Sequence, residues 1–148
     1  MLEAGDAAPE VSAQNQDGET VTPDFGRTTV VYFYPKDFTG GCTIEANEFQ
    51  DALPEYEDAG VTVYGVSMDG VESHADFADE HGLEFDLLAD PDGEVAAAFG
   101  IDTDEGYTDR LTFLLADGEV VATYDPELAE PKGHAREVLD DAREHAAA

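Results

Sequence analysis

Apolar positions in this chain alternate between short unbroken runs and helix-spaced series. Thr28–Tyr34, TTVVYFY, is continuous, β-branched and aromatic. That pattern predicts a strand buried on both faces, ended by Pro35. From Cys42 the apolar residues Ala46, Phe49, Leu53 and Tyr56 follow at steps of four, three, four and three. This spacing predicts a helix with one buried face. Thr39 is its cap candidate and Gly60 its stop, and Pro54 inside it predicts a kink.

The pattern then repeats. VTVYGVSMD, from Val61, predicts a second buried strand, and VESHADFADEHG a helix ending at Gly82. FDLLADPDG predicts a short strand and turn, and EVAAAFG a short helix ending at Gly100. LTFLLADGEVVATY predicts two strands joined at Asp117-Gly118, a hairpin turn pair. The last helix is predicted from about Lys132, with Ala135, Val138, Leu139, Ala142 and Ala146 on one face. Ahead of all this, a stretch punctuated by Pro9, Gly18 and Pro23 predicts a short hairpin or an extended arm.

Strand, helix, strand, helix, strand, helix, hairpin, helix is the order of an α/β protein. A central mixed sheet is expected, with helices on both faces and the late hairpin adding antiparallel strands at one edge. This is a thioredoxin-like fold with an N-terminal extension. No linker or repeat divides the chain, so residues 1–148 are expected to form a single domain.

Charge changes the picture of the surface. Six Lys and Arg face 36 Asp and Glu, a formal net charge of −30 among 148 residues. The acid is spread along the whole chain, and Lys36 is the one Lys or Arg between Arg27 and Arg110. Such a surface repels nucleic acid and anionic lipid, so neither is an expected partner. It suits solubility in very high salt, the halophilic reading; electrostatic exclusion of unwanted partners is the alternative. The N-terminus lacks a basic segment followed by an apolar one, and no apolar run is long enough to span a membrane. One cysteine allows no internal disulfide and points to a reducing, cytoplasmic setting.

That cysteine carries the candidate chemistry. Cys42 follows Gly40 and Gly41 at the predicted start of the first helix. A helix N-terminus presents unpaired N–H donors and a positive partial charge, which favour thiolate over thiol. The glycines let the backbone turn tightly and leave the sulfur approachable. Thr39 is three residues earlier, within reach of the sulfur or of a bound oxygen, and Pro35 can shield one side of the pocket. A buried, inert Cys42 is the alternative. Redox pairing of the C-x-x-C kind is excluded, since Thr39 takes the partner's place. His74, His81, His134 and His145 show no tight metal spacing and are expected mostly on helix surfaces. Lys36 reads as a pocket-rim charge. Glu45 reads as a favourable charge at the helix start or as a hydrogen-bond partner of Arg110.

YFYPKDFTGGCTIEANEF resembles the active-site segment of peroxiredoxins, closest to the bacterioferritin comigratory protein or peroxiredoxin Q subfamily. DRLTFLLADGEVVATY resembles that family's arginine-bearing strand and hairpin, and PKGHAREVL its C-terminal helix entry. The resemblance implies a thiol-dependent peroxidase acting on hydrogen peroxide and organic hydroperoxides. Cys42 would attack the peroxide and become a sulfenic acid, with Thr39 orienting sulfur and peroxide. Arg110 would stabilise thiolate and oxyanion, Pro35 would shield the site, and backbone N–H groups near Gly41 and Cys42 would bind the substrate. No metal or organic cofactor is implied.

Two departures stand out. Gly40 replaces the proline usual before the glycine of the active-site run. Asn47 stands where many members place a resolving cysteine. The chain therefore reads as a one-cysteine variant whose sulfenic acid needs an external thiol: a small thiol, a thioredoxin-like protein or a second copy of the chain. A peroxide sensor that passes oxidation to a partner uses the same groups and is the alternative function. A monomer or weak dimer is expected.

The charge reading generates a prediction about stability. Raising ionic strength from about 0.01 M to about 1 M shortens the screening length from roughly 30 Å to roughly 3 Å. The thermal midpoint is expected to climb steeply over that range, followed by circular dichroism. A midpoint that ignores salt would remove the halophilic reading.

Overall fold

The structure, a computed structural model, describes residues 2–37, 40–101, 103, 106–108, 110–124 and 134–147. At Gly40, Gly41, Cys42, His134, Arg136 and 145–147 it describes the backbone only. Seven strands form one sheet: β1 (Ala13–Gln14), β2 (Thr20–Val21), β3 (Thr29–Phe33), β4 (Thr62–Ser67), β5 (Asp86–Ala89), β6 (Leu111–Ala116) and β7 (Glu119–Tyr124). The helices are α1 (Gly40–Asp58), α2 (Val71–His81), α3 (Glu94–Ala98) and α4 (His134–Ala147).

The strand order is β2-β1-β5-β4-β3-β6-β7. β3, β4 and β5 run parallel, while β6 returns antiparallel to β3 and pairs with β7. The sheet is thus mixed, as expected, and the late hairpin closes one edge. The N-terminal hairpin does more than extend the chain: β1 pairs antiparallel with β5 and closes the other edge.

β3 shows why the sequence run had to be unbroken. All five of its residues are buried. Val30, Tyr32 and Tyr34 point to one face, where they join Ala46, Phe49, Leu53 and Tyr56 of α1, Phe77 of α2, and Val138 and Leu139 of α4. Val31 and Phe33 point to the other, against Val95, Ala96 and Phe99 of the α3 region and Val11 and Phe25 of the N-terminal segment. The crossovers β3-α1-β4 and β4-α2-β5 advance across the sheet in one direction, and α1 and α2 pack into the same core cluster on one face.

The punctuation works as the sequence suggests. Gly60 and Gly82 adopt positive φ, and the next N–H, of Val61 or Leu83, bonds the carbonyl five residues back at 2.9 Å. Asp117 and Gly118 both have positive φ and make the tight turn between β6 and β7. α1 continues through Pro54, an exposed position, to Asp58. The last-helix face of Ala135, Val138, Leu139 and Ala142 is buried, whereas Lys132 and the side chain of Ala146 lie outside the described residues.

One strand glycine has a packing reason. Gly65, in β4, sits between Tyr32 and Leu87 on the neighbouring strands. An added Cβ would meet the Tyr32 ring at 2.8 Å and Leu87 Cδ2 at 2.9 Å. Tyr32 cannot yield, because it is fully buried and stacked on Phe49 at 4.6 Å. Gly65→Ala is therefore expected to destabilise the chain by about 1–3 kcal/mol through overpacking, read from denaturant unfolding. A neutral effect would show that the Tyr32–Phe49 stack can shift.

Candidate active site

The C-terminal end of β3 and the N-terminal end of β6 meet at one edge of the fold. Phe33 pairs with Leu111, so the next residues, Tyr34 and Arg110, emerge together. Thr108 Oγ1 donates to the Tyr34 carbonyl at 3.3 Å and holds the chain before β6 there. α1 starts at the same end, with Gly41 and Cys42 in its first turn. The unpaired N–H groups of that turn face outward along the axis, the electropositive end of the helix. The structure thus gathers Pro35, Gly41, Cys42 and Arg110. Thr39 and the Cys42 side chain lie outside the described residues.

Arg110 is 5% exposed, a deeply buried guanidinium in a chain with few cations. Its Nη1 donates to Glu45 Oε1 at 2.8 Å. Glu45 lies three residues past Cys42, on the adjoining turn of α1, so the ion pair brings the guanidinium within one helical turn of the cysteine. Of the two sequence readings of Glu45, the hydrogen-bond partner is the one observed. Burial pushes the Glu45 carboxyl up to about 7, the Arg110 charge and hydrogen bond pull against that, and Glu48 adds a smaller push upward.

Pro35 is half-buried and Lys36 exposed. With Met68, Asp69, Gly106 and Tyr107 they line an open cavity of about 370 Å³. Lys36 is a rim charge, as its position suggested. Tyr107 and, on α1, Ile44 are large apolar side chains left exposed near this end.

Sequence reasoning missed a second polar cluster beneath the loop. His74 is buried, an exception to the expectation that the histidines lie mostly on helix surfaces; His81 is half-buried, and the side chains of His134 and His145 lie outside the described residues. Asp37 is buried beside it, and its Oδ2 lies 2.7 Å from His74 Nδ1. Tyr34 Oη donates to Asp37 Oδ1 at 2.6 Å, and Ser73 Oγ donates to Oδ2 at 2.8 Å. The Asp37 N–H donates to Asp69 Oδ2 at 2.8 Å, and Ser67 Oγ donates to the same oxygen at 2.6 Å. The spacing of His74, Phe77 and Ala78 on α2, one inward stripe, was the available signal. Asp37 sits in a loop and gives no periodic signal. Ligand atoms of Asp37, Asp69 and His74 lie within 4.8 Å of one another, a grouping no sequence spacing revealed. Each of them takes part in the hydrogen bonds just described.

The Glu45 titration gives a pH prediction. The folded chain holds this proton more tightly than the unfolded chain, from a value of 4.5 raised to about 7. Its contribution to stability is complete below the lower value and is lost as pH rises through the upper one. The stability of the parent relative to Glu45→Gln is thus expected to fall between those limits, measured by urea unfolding at fixed salt. A difference independent of pH would place the Glu45 titration elsewhere.

Residues 4–123 match the AhpC/TSA family. Peroxiredoxin Bcp of Escherichia coli K12 is 39% identical over 98% of both chains. Peroxiredoxin Q of Xanthomonas campestris superposes with a TM-score of 0.84 at 36% identity, over 99% of this chain and 98% of that one. A bacterioferritin comigratory protein of the same organism, studied for its alkyl peroxide reduction activity, gives a TM-score of 0.84 at 35% identity over the same shares. A thioredoxin fold and a sequence shared along nearly the whole length with these relatives leave one assignment: the chain belongs to the AhpC/TSA family, in its Bcp/peroxiredoxin Q group, and is a thiol-dependent peroxidase.

Proposed function

We propose that this single domain reduces hydrogen peroxide and organic hydroperoxides through Cys42 and is recycled by an external thiol. The observation that carries the assignment of residues is the buried Arg110–Glu45 pair, set one helical turn from Cys42. A guanidinium fixed there favours the thiolate and the negative charge that develops on the departing oxygen.

The Cys42 thiolate attacks one peroxide oxygen. An S–O bond forms as the O–O bond breaks, and the leaving oxygen takes a proton and departs as water or an alcohol. Cys42 is left as a sulfenic acid. Helix-start N–H groups near Gly41 and Cys42 hold the peroxide, and the Thr39 hydroxyl orients it. Pro35, half-buried on the cavity wall, limits water on one side. An external thiol then condenses with the sulfenic acid, giving a mixed disulfide and water, and a second thiol releases Cys42 and carries the disulfide away. A small thiol or a thioredoxin-like protein fits this role, because Asn47 stands at the position of the usual resolving cysteine. The alkyl peroxide activity of the Xanthomonas campestris relative supports organic hydroperoxides as substrates. The catalyst works as a monomer or weak dimer, and the cytoplasm suits its thiol chemistry.

Cys42→Ser is expected to abolish thiol-dependent peroxide consumption. Arg110→Ala is expected to slow the peroxide step on the order of 10²-fold. Both are read in stopped-flow single turnovers at high salt, with folding checked by circular dichroism. Activity surviving in Cys42→Ser would refute the assignment of the reactive thiol. An unchanged rate in Arg110→Ala would show that the guanidinium serves Glu45 alone.

A further inference from the structure

Asp37 lies five residues before Cys42, on the segment that leaves β3 and enters the reactive loop. Its carboxylate is received by three donors from two elements: Tyr34 at the end of β3, and Ser73 and His74 on α2. Its own N–H is taken by Asp69, from the turn between β4 and α2. His74 continues the chain of bonds, with Nε2 3.0 Å from the Leu88 carbonyl on β5. Asp37 is therefore tied directly to the end of β3, to α2 and to the β4–α2 turn, and through His74 to β5. The side chains of the pair are 0% and 1% exposed.

The hydrogen-bond chemistry is specific. A carbonyl oxygen only accepts, so His74 Nε2 carries a hydrogen. The 2.7 Å contact between Nδ1 and Asp37 Oδ2 needs a hydrogen between them as well. Both ring nitrogens of His74 are thus engaged, one by Asp37 and one by the Leu88 carbonyl.

We propose that His74 and Asp37 are positioning residues for the peroxide reaction: their buried pair fixes the start of the reactive loop, and so the placement of Cys42 relative to the helix-start donors and Arg110. The inference rests on Cys42 being the reactive thiol. Neither residue touches substrate. They act on a step in which a displacement of about 1 Å can cost on the order of 10²-fold.

The test uses the full chain in salt that keeps it folded. Single-turnover peroxide rates are compared with Cys42 alkylation by iodoacetamide, which needs a thiolate but no oriented peroxide-binding donors. Asp37→Asn can donate its amide hydrogen to Nδ1 of a neutral imidazole, so the geometry survives. His74→Asn keeps a donor near the Nδ1 position, and His74→Gln keeps only one near Nε2. The expected result is a peroxide rate for Asp37→Asn within about threefold of the parent and for His74→Asn within about tenfold, against a loss on the order of 10²-fold for His74→Gln and Asp37→Ala. Alkylation should change far less than the peroxide rate in each. If Asp37→Ala does not fold, the contrast between His74→Asn and His74→Gln decides. Peroxide and alkylation rates that fall together, or a parental peroxide rate in folded His74→Gln, would overturn the inference. Peroxide consumption by Cys42→Ser would overturn instead the catalytic reading beneath it.

Discussion

The antiparallel register of β6 against β3 is the constraint on which the site depends. Phe33 opposite Leu111 means that β3 ends where β6 begins. Everything the chemistry needs is delivered to that end: the loop into α1 from one strand, and Arg110 from the other. A slip of one residue would reverse every side chain of β6 across the sheet. Phe113 and Leu115 pack on the α3 face and Leu114 on the α1 face, so such a slip would expel three fully buried residues from their cores. The hydrophobic alternation of β6 thereby holds a charged residue in place.

The same end of the sheet concentrates buried polar groups among the described residues. Arg110 and Glu45 form one buried pair, Asp37 and His74 another. Removing Glu45 would leave the Arg110 guanidinium as an uncompensated charge in a poorly solvated place, which costs about 3–5 kcal/mol. An apolar filling would be cheaper for stability alone. The pairs lie on both sides of the loop into α1: Asp37 is bonded before it, and Arg110 holds α1 through Glu45 just beyond it. The acidic surface adds to the value of burial. With 36 carboxylates in the chain, an exposed guanidinium would find many competing partners, whereas the buried one is held by Glu45.

Most of the fold was legible in the sequence because its signals are local. The unbroken run at β3, the four-three spacing of α1 and the Asp117-Gly118 turn each specify an element without reference to the rest. The thiol at a helix start and the guanidinium before a core strand were legible for the same reason. Three features were not. The N-terminal hairpin's place beside β5 depends on a pairing between Gln14 and Ala89, far apart in the chain. The burial of His74 was visible only in its spacing with Phe77 and Ala78, which a polar residue conceals. Asp37 lies in a loop, where no period marks which side chain turns inward, and its partners come from Tyr34, Ser73 and the β4–α2 turn.

The absence of a second cysteine from the sequence completes the physical picture of α1. Positions 42 and 47 are separated by about 7.5 Å of rise along an intact helix, beyond the roughly 6.8 Å that a disulfide tolerates between Cα atoms. A chain resolved by a cysteine at position 47 must therefore open the first turns of this helix in every cycle. Opening would draw Glu45 away from Arg110 and lift Ala46 and Phe49, 1% and 0% exposed, out of the core. With Asn47 in place that demand disappears. The turns that carry Cys42 can be locked to Arg110 and to the apolar face throughout the reaction. An external thiol needs only a path to the sulfur. On the proposed reaction, Asn47 thus removes both the internal route to a disulfide and the need to open α1.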